Sequence, residues 1–263
     1  MIKKRFPEIR IIFGGPWASA EYEYVLKYKF ADIVVIGEGE ATFEKIILLS
    51  DLSKELLSNI QGIAFMNANK IIITEKRMLI DDIDKIPFPC WDKFPKTGYN
   101  KLSRVKPIYP ILTSRGCPYE CINCTKIIHG TKMRYRSIEN ILQELDYLAS
   151  IGAKEISIED DIFNSNLTRA KKIFRSIIKR KYKFKIQLAN GLRADNIDDE
   201  FARLAHLAGV YKTAFGVESG SPKVIKFIRK RLDLSVLEKS IDILHRNYIK
   251  VAGYFILGFP IEN

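Results

Sequence analysis

The sequence has few cysteines and no long apolar run. Only four of its 263 residues are cysteine, which is too few for the disulfide framework of a small secreted protein. No apolar run approaches the ~18 residues that a membrane helix needs. The start, MIKKRFPEIRIIFGG, has too short an apolar stretch for a secretory signal. We therefore expect a cytoplasmic protein without a membrane span.

Acidic side chains are also in deficit. The chain has 31 Asp and Glu against 43 Lys and Arg, a formal net charge of +12. Such a balance can indicate a polyanionic partner, but the denser basic runs, at 179–185 and 223–231, are more typical of solvated helix faces. Because the sequence shows no stacking-aromatic motif, a nucleic-acid-binding protein is the least favoured interpretation.

The first part of the chain alternates strand and helix patterns. Short buried strands are predicted at 9–13 and 32–37, and a hairpin at 63–74. Strand–helix alternation with short loops indicates a parallel α/β sheet, here half of a doubly wound domain over residues 1–80. Residues 81–106 carry three prolines and no periodic pattern, so we expect an ordered linker there.

The second part, residues 107–263, repeats strand then helix more regularly. Amphipathic helices separate its predicted strands. One begins at an N-cap Ser137 and stops at Gly152, and another begins with the capping box Ser235–Glu238. The pattern predicts a partial (β/α) barrel, although a doubly wound sheet has the same pattern. The predicted strands are 108–114, 155–160, 185–190, 213–219 and 251–258.

Three of the four cysteines lie in one short loop, directly after the first strand of the second part. Their spacing is Cys117-x3-Cys121-x2-Cys124. A cubane iron–sulfur cluster has four irons, so three protein thiolates leave one iron open to a substrate or cofactor. The alternative is zinc, which needs four ligands in a structural site; Cys90 or His129 would then supply the fourth.

This loop resembles that of the radical-SAM superfamily, in which the same three-cysteine spacing follows the first strand of a partial barrel. The resemblance covers the chain from Pro107 to its end. It implies a [4Fe–4S] cluster on the three cysteines, reductive cleavage of S-adenosylmethionine to a 5′-deoxyadenosyl radical, and a low-potential electron donor such as ferredoxin or flavodoxin. The sequence departs from the family at Asn123, where an aromatic residue usually contacts the adenine.

Polar residues follow the other predicted strands, where a (β/α) barrel carries its active site. The resemblance implies that Asp160 and Asp161 bind the amino group of S-adenosylmethionine, in a DDxF version typical of the cobalamin-linked subgroup. Arg193 can face the carboxylate of the same cofactor bidentately, or instead pair with Asp195 or Asp198.

Two further segments complete the predicted cofactor site. Glu218 and Ser219 follow the fourth strand, where the resemblance implies hydrogen bonds to the ribose hydroxyls. Leu257 and Gly258 end the fifth strand, which resembles the adenine-contacting strand of the family. The alternative for this last segment is a buried strand and turn.

The first part of the chain resembles the second half of a cobalamin-binding domain. Gly14 and Gly15 follow its first strand and are candidates for contacting the tail of cobalamin. The Gly37–Glu40 segment is not a dinucleotide loop, because it lacks a third glycine and its two glutamates would repel a pyrophosphate. None of the three histidines lies in residues 1–80, so we expect no histidine ligand to cobalt there.

The sequence thus predicts a radical-SAM enzyme acting on an unknown substrate, with methyl transfer as the outcome if cobalamin binds. The family barrel has a sixth strand, whereas five are predicted here. The alternative is therefore a catalytically incomplete iron–sulfur module, or one subunit of a split enzyme whose barrel is completed by a partner chain.

Overall fold

The computed structural model describes residues 2–95 and 105–262. The chain divides into two compact units. The first comprises Met1–Asp81 and Thr125–Thr131, and the second comprises Asp82–Cys124 and Lys132–Asn263. The division into domains 1–80 and 107–263 with a linker at 81–106 stays a prediction, and part of that linker lies outside the described residues.

The described residues of the first unit form a four-stranded sheet in the order β1-β2-β3-β4. Its strands are β1 (Ile12–Phe13), β2 (Ile33–Val35), β3 (Ile63–Asn67) and β4 (Lys70–Ile73). The β1–β2 pair is parallel, and the β2–β3 and β3–β4 pairs are antiparallel. The predicted hairpin is confirmed, and it makes the sheet mixed rather than wholly parallel because a tight turn reverses the chain.

Short helices cover both faces of this sheet. Because successive side chains of a strand point to opposite faces, Ile33 and Val35 pack with Ile46 and Leu57 on one side, whereas Val34 packs on the other. The result is three layers. The helices are α1 (Ile2–Arg5), α2 (Pro16–Ala20), α3 (Tyr22–Lys27), α4 (Glu40–Ile47) and α5 (Lys54–Ser58).

The second unit contains a five-stranded parallel sheet in the order β11-β10-β9-β8-β5 within its described residues. A separate antiparallel pair, β6–β7, flanks the cysteine loop. The strands are β5 (Ile108–Ile111), β6 (Ser114–Arg115), β7 (Arg134–Tyr135), β8 (Glu155–Ile158), β9 (Lys185–Leu188), β10 (Val210–Glu218) and β11 (Lys250–Phe255).

The strand order of this sheet decides between the two folds that the sequence leaves open. A doubly wound sheet reverses its strand order at a switch point. Here the strands of the main sheet follow one another in chain order without reversal, as in a (β/α) barrel. The sheet is open, so the fold is a partial barrel, as predicted.

Helices connect the successive strands of this parallel sheet. The predicted cap of α6 is confirmed, because the Ser137 side chain accepts a hydrogen bond from the Asn140 N–H. The predicted capping box of α10 is wrong: the N-cap is Asp233, whose carboxylate accepts bonds from both the N–H and the hydroxyl of Ser235. The helices are α6 (Ile138–Ser150), α7 (Leu167–Arg180), α8 (Asp199–Leu207), α9 (Pro222–Phe227) and α10 (Leu234–Arg246).

The core of the second unit lies between this sheet and its helices. Phe174 of α7 is fully buried and packs its ring against Phe163 and Phe201. Because β8, β9 and β10 are parallel neighbours, their carboxyl ends lie at one edge of the sheet, where the polar residues of interest follow. No helix within residues 2–95 and 105–262 is long and apolar enough to cross a bilayer.

Candidate active site

The cysteine loop is held to three neighbouring segments by its backbone and side chains. Gly116 has a positive φ of 99°, which glycine adopts without strain, and its N–H donates to the Asp161 carboxylate at 2.8 Å. The Ile122 N–H donates to the Ile228 carbonyl at 3.1 Å. Glu120 lies 3.7 Å from Arg231. The loop is therefore an ordered part of the second unit.

Cys117, Cys121 and Cys124 all line one pocket of about 230 Å³. It lies at the carboxyl edge of the sheet and is also lined by Asp161, Arg193, Gly216, Glu218 and Lys230. Cys117 and Cys121 are half-buried and Cys124 is exposed. The fourth cysteine, Cys90, is exposed and is not among the described residues of this lining.

The zinc alternative requires four ligands around one ion. Such ligands each lie about 2.0–2.3 Å from the zinc and so crowd around one point. Within the described ranges, no three His, Cys, Asp or Glu side chains form a group that could hold a metal ion.

The structure separates the two adjacent aspartates that the sequence treats together. Asp160 is 2% exposed and turns into the protein, where its carboxylate accepts bonds from the Thr113 N–H at 2.5 Å and from the Thr113 and Ser114 hydroxyls at 2.6 Å each. Burial raises the pKa of Asp160, against the opposing effect of these bonds. Asp161 points the other way, into the cysteine pocket.

Arg193 lies in the pocket lining, but its guanidinium is already engaged. It pairs bidentately with Asp195, through Nε at 2.9 Å and Nη2 at 2.7 Å. It also donates to the carbonyls of Lys230 at 3.1 Å and Arg231 at 2.8 Å. Burial alone would lower the pKa of Arg193, but the Asp195 hydrogen bond and charge, with smaller contributions from Tyr119 and Cys121, raise it overall. In the structure Arg193 therefore forms the ion pair with Asp195 that the sequence predicts as the alternative to cofactor binding.

Glu218 faces the pocket and forms a half-buried ion pair that the sequence did not predict. Its Oε1 lies 2.7 Å from the Lys230 Nζ. A Cβ added at Gly216 would lie 2.8 Å from Glu218 Oε1 and 2.9 Å from Lys230 Nζ, so the glycine leaves room for the pair. Ser219 is buried, accepts a bond from the Ser221 N–H, and is outside the described lining.

The remaining predicted cofactor residues lie away from this pocket's described lining. The fifth strand ends at Phe255, not at Gly258 as predicted. Beyond it, the Gly258 N–H donates to the Glu262 carboxylate at 2.7 Å and does not pair with a strand. Leu257 is 90% exposed. Their adenine-contacting role stays a prediction.

In the first unit, Gly14 and Gly15 follow β1 as predicted. Gly15 has a φ of 88° and starts α2, and an added Cβ would meet nothing within 4 Å. Residues 1–80 contain no histidine, but Thr125–Thr131, which contains His129, groups with the first unit. Gly130 of that segment lies against Leu79.

Three residues of the site were missed in the sequence. Lys230 falls in the basic run interpreted as a solvated face, yet its side chain is only 17% exposed. Tyr119 lies under the Arg193 guanidinium, 4.2 Å from the ring centroid. Asn164 is fully buried and binds the Arg193 backbone. The only available signal was position, because Tyr119 lies between two cysteines and Asn164 follows the two aspartates.

Comparison with known proteins gives the class. Residues 111–263 match the profile of the radical SAM superfamily, so the chain belongs to this superfamily. Membership implies a [4Fe–4S] cluster and S-adenosylmethionine as cofactors.

Particular relatives are similar over nearly the whole chain. An uncharacterized methyltransferase of Pyrococcus horikoshii is 31% identical over 255 residues, covering 96% of this chain and 54% of that protein. Cytidylyl-2-hydroxyethylphosphonate methyltransferase of Streptomyces wedmorensis is 27% identical over 286 residues, covering 97% and 53%. The chain therefore spans about half the length of these curated relatives.

A solved structure confirms the fold. The radical S-adenosylmethionine methyltransferase TsrM of Kitasatospora setae, with cobalamin and a [4Fe–4S] cluster bound, superposes with a TM-score of 0.73. It is 19% identical, and the match covers 97% of this chain and 51% of that one. At this identity the likeness shows the arrangement of elements and nothing further.

Proposed function

We propose that Cys117, Cys121 and Cys124 hold a [4Fe–4S] cluster and that the second unit binds S-adenosylmethionine beside it for reductive cleavage. The observation that carries this proposal is that the three thiols line one pocket with two carboxylates, Asp161 and Glu218, at the carboxyl edge of the parallel sheet. Active sites of (β/α) barrels gather at this edge.

The donor set fits such a cluster. Three thiols converge on the pocket, and no fourth cysteine is among its described lining residues, so one corner of a cubane is left for a cofactor. The bound cluster supplies the single electron that breaks the sulfonium bond of S-adenosylmethionine. The loop's part is to hold the thiols in place, through the Gly116 bond to Asp161 and the Ile122 bond to Ile228.

The two pocket carboxylates have different tasks in this proposal. Asp161 lies next to the cysteine loop and is exposed to the pocket, so it can accept hydrogen bonds from the cofactor's ammonium group. Glu218 lies at the end of β10, and its carboxylate can accept bonds from the ribose hydroxyls. Lys230 fixes the Glu218 side chain by pairing with Oε1, which reduces the ordering cost on binding.

Methyl transfer is the reaction that the relatives favour. The two relatives described above are methyltransferases by name, and one of them matches at 31% identity. We therefore propose methyl transfer on an unknown substrate, with cobalamin bound by the first unit. The open space at Gly15 and the position of Gly14 at the end of β1 are compatible with a bulky ligand near these glycines. A ferredoxin or flavodoxin would serve as the electron donor.

The direct test is anaerobic reconstitution of the chain with iron and sulfide, followed by addition of S-adenosylmethionine and dithionite. We expect a brown protein containing about four irons per chain that forms 5′-deoxyadenosine or methylated product. A parallel sample mixed with cobalamin and passed through gel filtration should retain the cobalamin spectrum. A protein that retains zinc but no iron would contradict the proposal, and cobalamin that elutes separately would contradict its methyl-transfer part.

The ribose role of Glu218 can be tested separately. We expect Glu218→Gln to weaken binding of S-adenosylmethionine by about tenfold, because a hydrogen bond to a charged acceptor is replaced by a neutral one. Isothermal titration of the reconstituted protein measures this loss. The 2′-deoxy analogue should bind less tightly than S-adenosylmethionine to the native protein, and this difference in affinity should be smaller in the variant.

The matched control is Glu238→Gln, since Glu238 is exposed on α10 and lies outside the described pocket lining. It should bind both ligands as the native protein does. If Glu218→Gln still discriminates fully between the two ligands, Glu218 does not bind the ribose.

A further inference from the structure

Arg193 connects three loops at the carboxyl edge of the sheet. Its guanidinium pairs with Asp195 in its own loop and donates to the carbonyls of Lys230 and Arg231 in the turn after α9. It also lies over the ring of Tyr119 in the cysteine loop, at 4.2 Å from the ring centroid, which is within the range of a favourable cation–π contact.

The hydrogen bonds of Arg193 leave little for a ligand. Arginine has five N–H donors, and the four bonds to Asp195, Lys230 and Arg231 use four of them. Bidentate binding of a carboxylate needs two parallel N–H groups. The conformation in the structure therefore cannot offer Arg193 to the carboxylate of S-adenosylmethionine without breaking the pair with Asp195 or a bond to the turn.

The position of Arg193 is fixed from its backbone as well. Its N–H donates to the Asn164 Oδ1 at 2.9 Å, and its carbonyl accepts from the Asn164 Nδ2 at 2.8 Å. The same Asn164 amide donates to the Asn196 carbonyl at 2.8 Å. Asn164 is fully buried in the turn after β8. Because both the N–H and the carbonyl of Arg193 are held by Asn164, its side chain starts from a fixed point and is suited to hold a neighbouring loop in place.

The Arg193 side chain contacts the cysteine loop through the ring of Tyr119. Tyr119 lies two residues after Cys117 and two before Cys121, so the placement of its ring constrains both thiols. Arg231, whose carbonyl Arg193 holds, also lies 3.7 Å from Glu120 of the same loop. The cysteine loop is thus supported at two adjacent residues. The Arg193 guanidinium contacts Tyr119, and Arg231, in the turn that Arg193 holds, lies near Glu120.

We propose that Arg193 is a positioning residue that holds the cysteine loop in its cluster-binding conformation through Tyr119, and not a ligand of S-adenosylmethionine. The proposal rests on the proposed function, since it assigns the purpose of the loop to cluster binding. It extends to the cluster-free protein, in which the same contact keeps the thiols ordered and partly protected.

The test compares Arg193→Lys and Tyr119→Leu with Tyr119→Phe. Lysine keeps the positive charge near the thiols but loses the planar stack and the forked bonds, and leucine removes the ring. In cluster-free protein kept reduced, we expect iodoacetamide to alkylate Cys117 and Cys121 about fivefold faster in these two variants, in line with the loss of one cation–π contact. Mass spectrometry measures the rates, with Cys90 of the same molecule as the internal reference.

The control and the double variant make the outcome decisive. Tyr119→Phe keeps the ring and should match the native protein, and the double variant should match Arg193→Lys alone, because the ring contact is already lost in that variant. After reconstitution, Arg193→Lys and Tyr119→Leu should both show reduced iron content and an altered electron paramagnetic resonance spectrum, and Tyr119→Phe should show neither change.

Two results would overturn the proposal. One is native alkylation rates and a native cluster spectrum in Arg193→Lys together with weaker binding of S-adenosylmethionine, which would make Arg193 a cofactor ligand. The other is unchanged alkylation in Tyr119→Leu, with thermal melts showing that the variant is folded. If the native protein forms no 5′-deoxyadenosine, the proposed function fails. The alkylation rates still show whether Arg193 and Tyr119 hold the cysteine loop in place.

Discussion

Replacing any one of Cys117, Cys121 or Cys124 by serine is expected to abolish cluster binding and all cleavage of S-adenosylmethionine. A serine hydroxyl is not deprotonated at neutral pH and is a poor ligand for iron, whereas iron–sulfur clusters are held by thiolates. The loop supplies three ligands and no spare cysteine among the described lining residues, so the loss of one cannot be compensated within the pocket. Iron and sulfide analysis, with 5′-deoxyadenosine measured by chromatography, checks the result.

Cys90→Ser is the matched control for this series. Cys90 is the fourth cysteine of the chain, is exposed, and lies outside the described pocket lining. The variant should bind four irons and cleave S-adenosylmethionine as the native protein does. A cluster that survives in the Cys121→Ser protein, or is lost in the Cys90→Ser protein, would contradict the assignment of the three ligands and with it the proposed function.

The three clustered cysteines are the part of the candidate site that the sequence indicates most clearly, because their signal is local. Three thiols within eight residues have few ways to act other than together, and glycine and proline next to Cys117 exclude a regular helix. The strand order needed the structure. Periodicity identifies strands and helices but carries no information on which strands are neighbours, so a partial barrel and a doubly wound sheet remain equivalent until the pairing is known.

The polar residues were harder to interpret because their roles depend on distant partners. Asp160 and Asp161 are adjacent and chemically identical, yet one is buried against Thr113 and the other faces the pocket. Successive side chains that leave a strand point in opposite directions, so one of the two had to turn inward. Which one did so depended on the donors of a segment 47 residues away.

The Lys230–Glu218 ion pair could not be predicted from the sequence either, because it too depends on a distant partner. A basic run at a helix end is usually solvated, and most of the run after Ser221 is exposed. Lys230 differs because it lies in the turn between α9 and α10 and reaches back to the end of β10. The absence of a side chain at Gly216 gives it the space to do so, and nothing local in the sequence indicates this.

Asp160→Ala is expected to destabilise the second unit by about 3 kcal/mol, because it leaves several buried donors without an acceptor. The Thr113 N–H and the hydroxyls of Thr113 and Ser114 all donate to this carboxylate. Arg169, whose own pKa is lowered by burial, also loses a compensating negative charge. Urea unfolding measures the free energy, and iron content after reconstitution measures the effect on the loop that begins three residues after Ser114.

The neighbouring Asp161→Ala gives the contrast that identifies the cause. Its exposed carboxylate accepts the bond from the Gly116 N–H, so the loss of stability should be about 1 kcal/mol. Asp160→Asn should fall between the two, because the amide oxygen restores one acceptor and burial already raises the pKa of this carboxyl. If Asp160→Ala were as stable as Asp161→Ala, the inward aspartate would not be what holds the strand end, and the stabilising role assigned to Asp160 would be wrong.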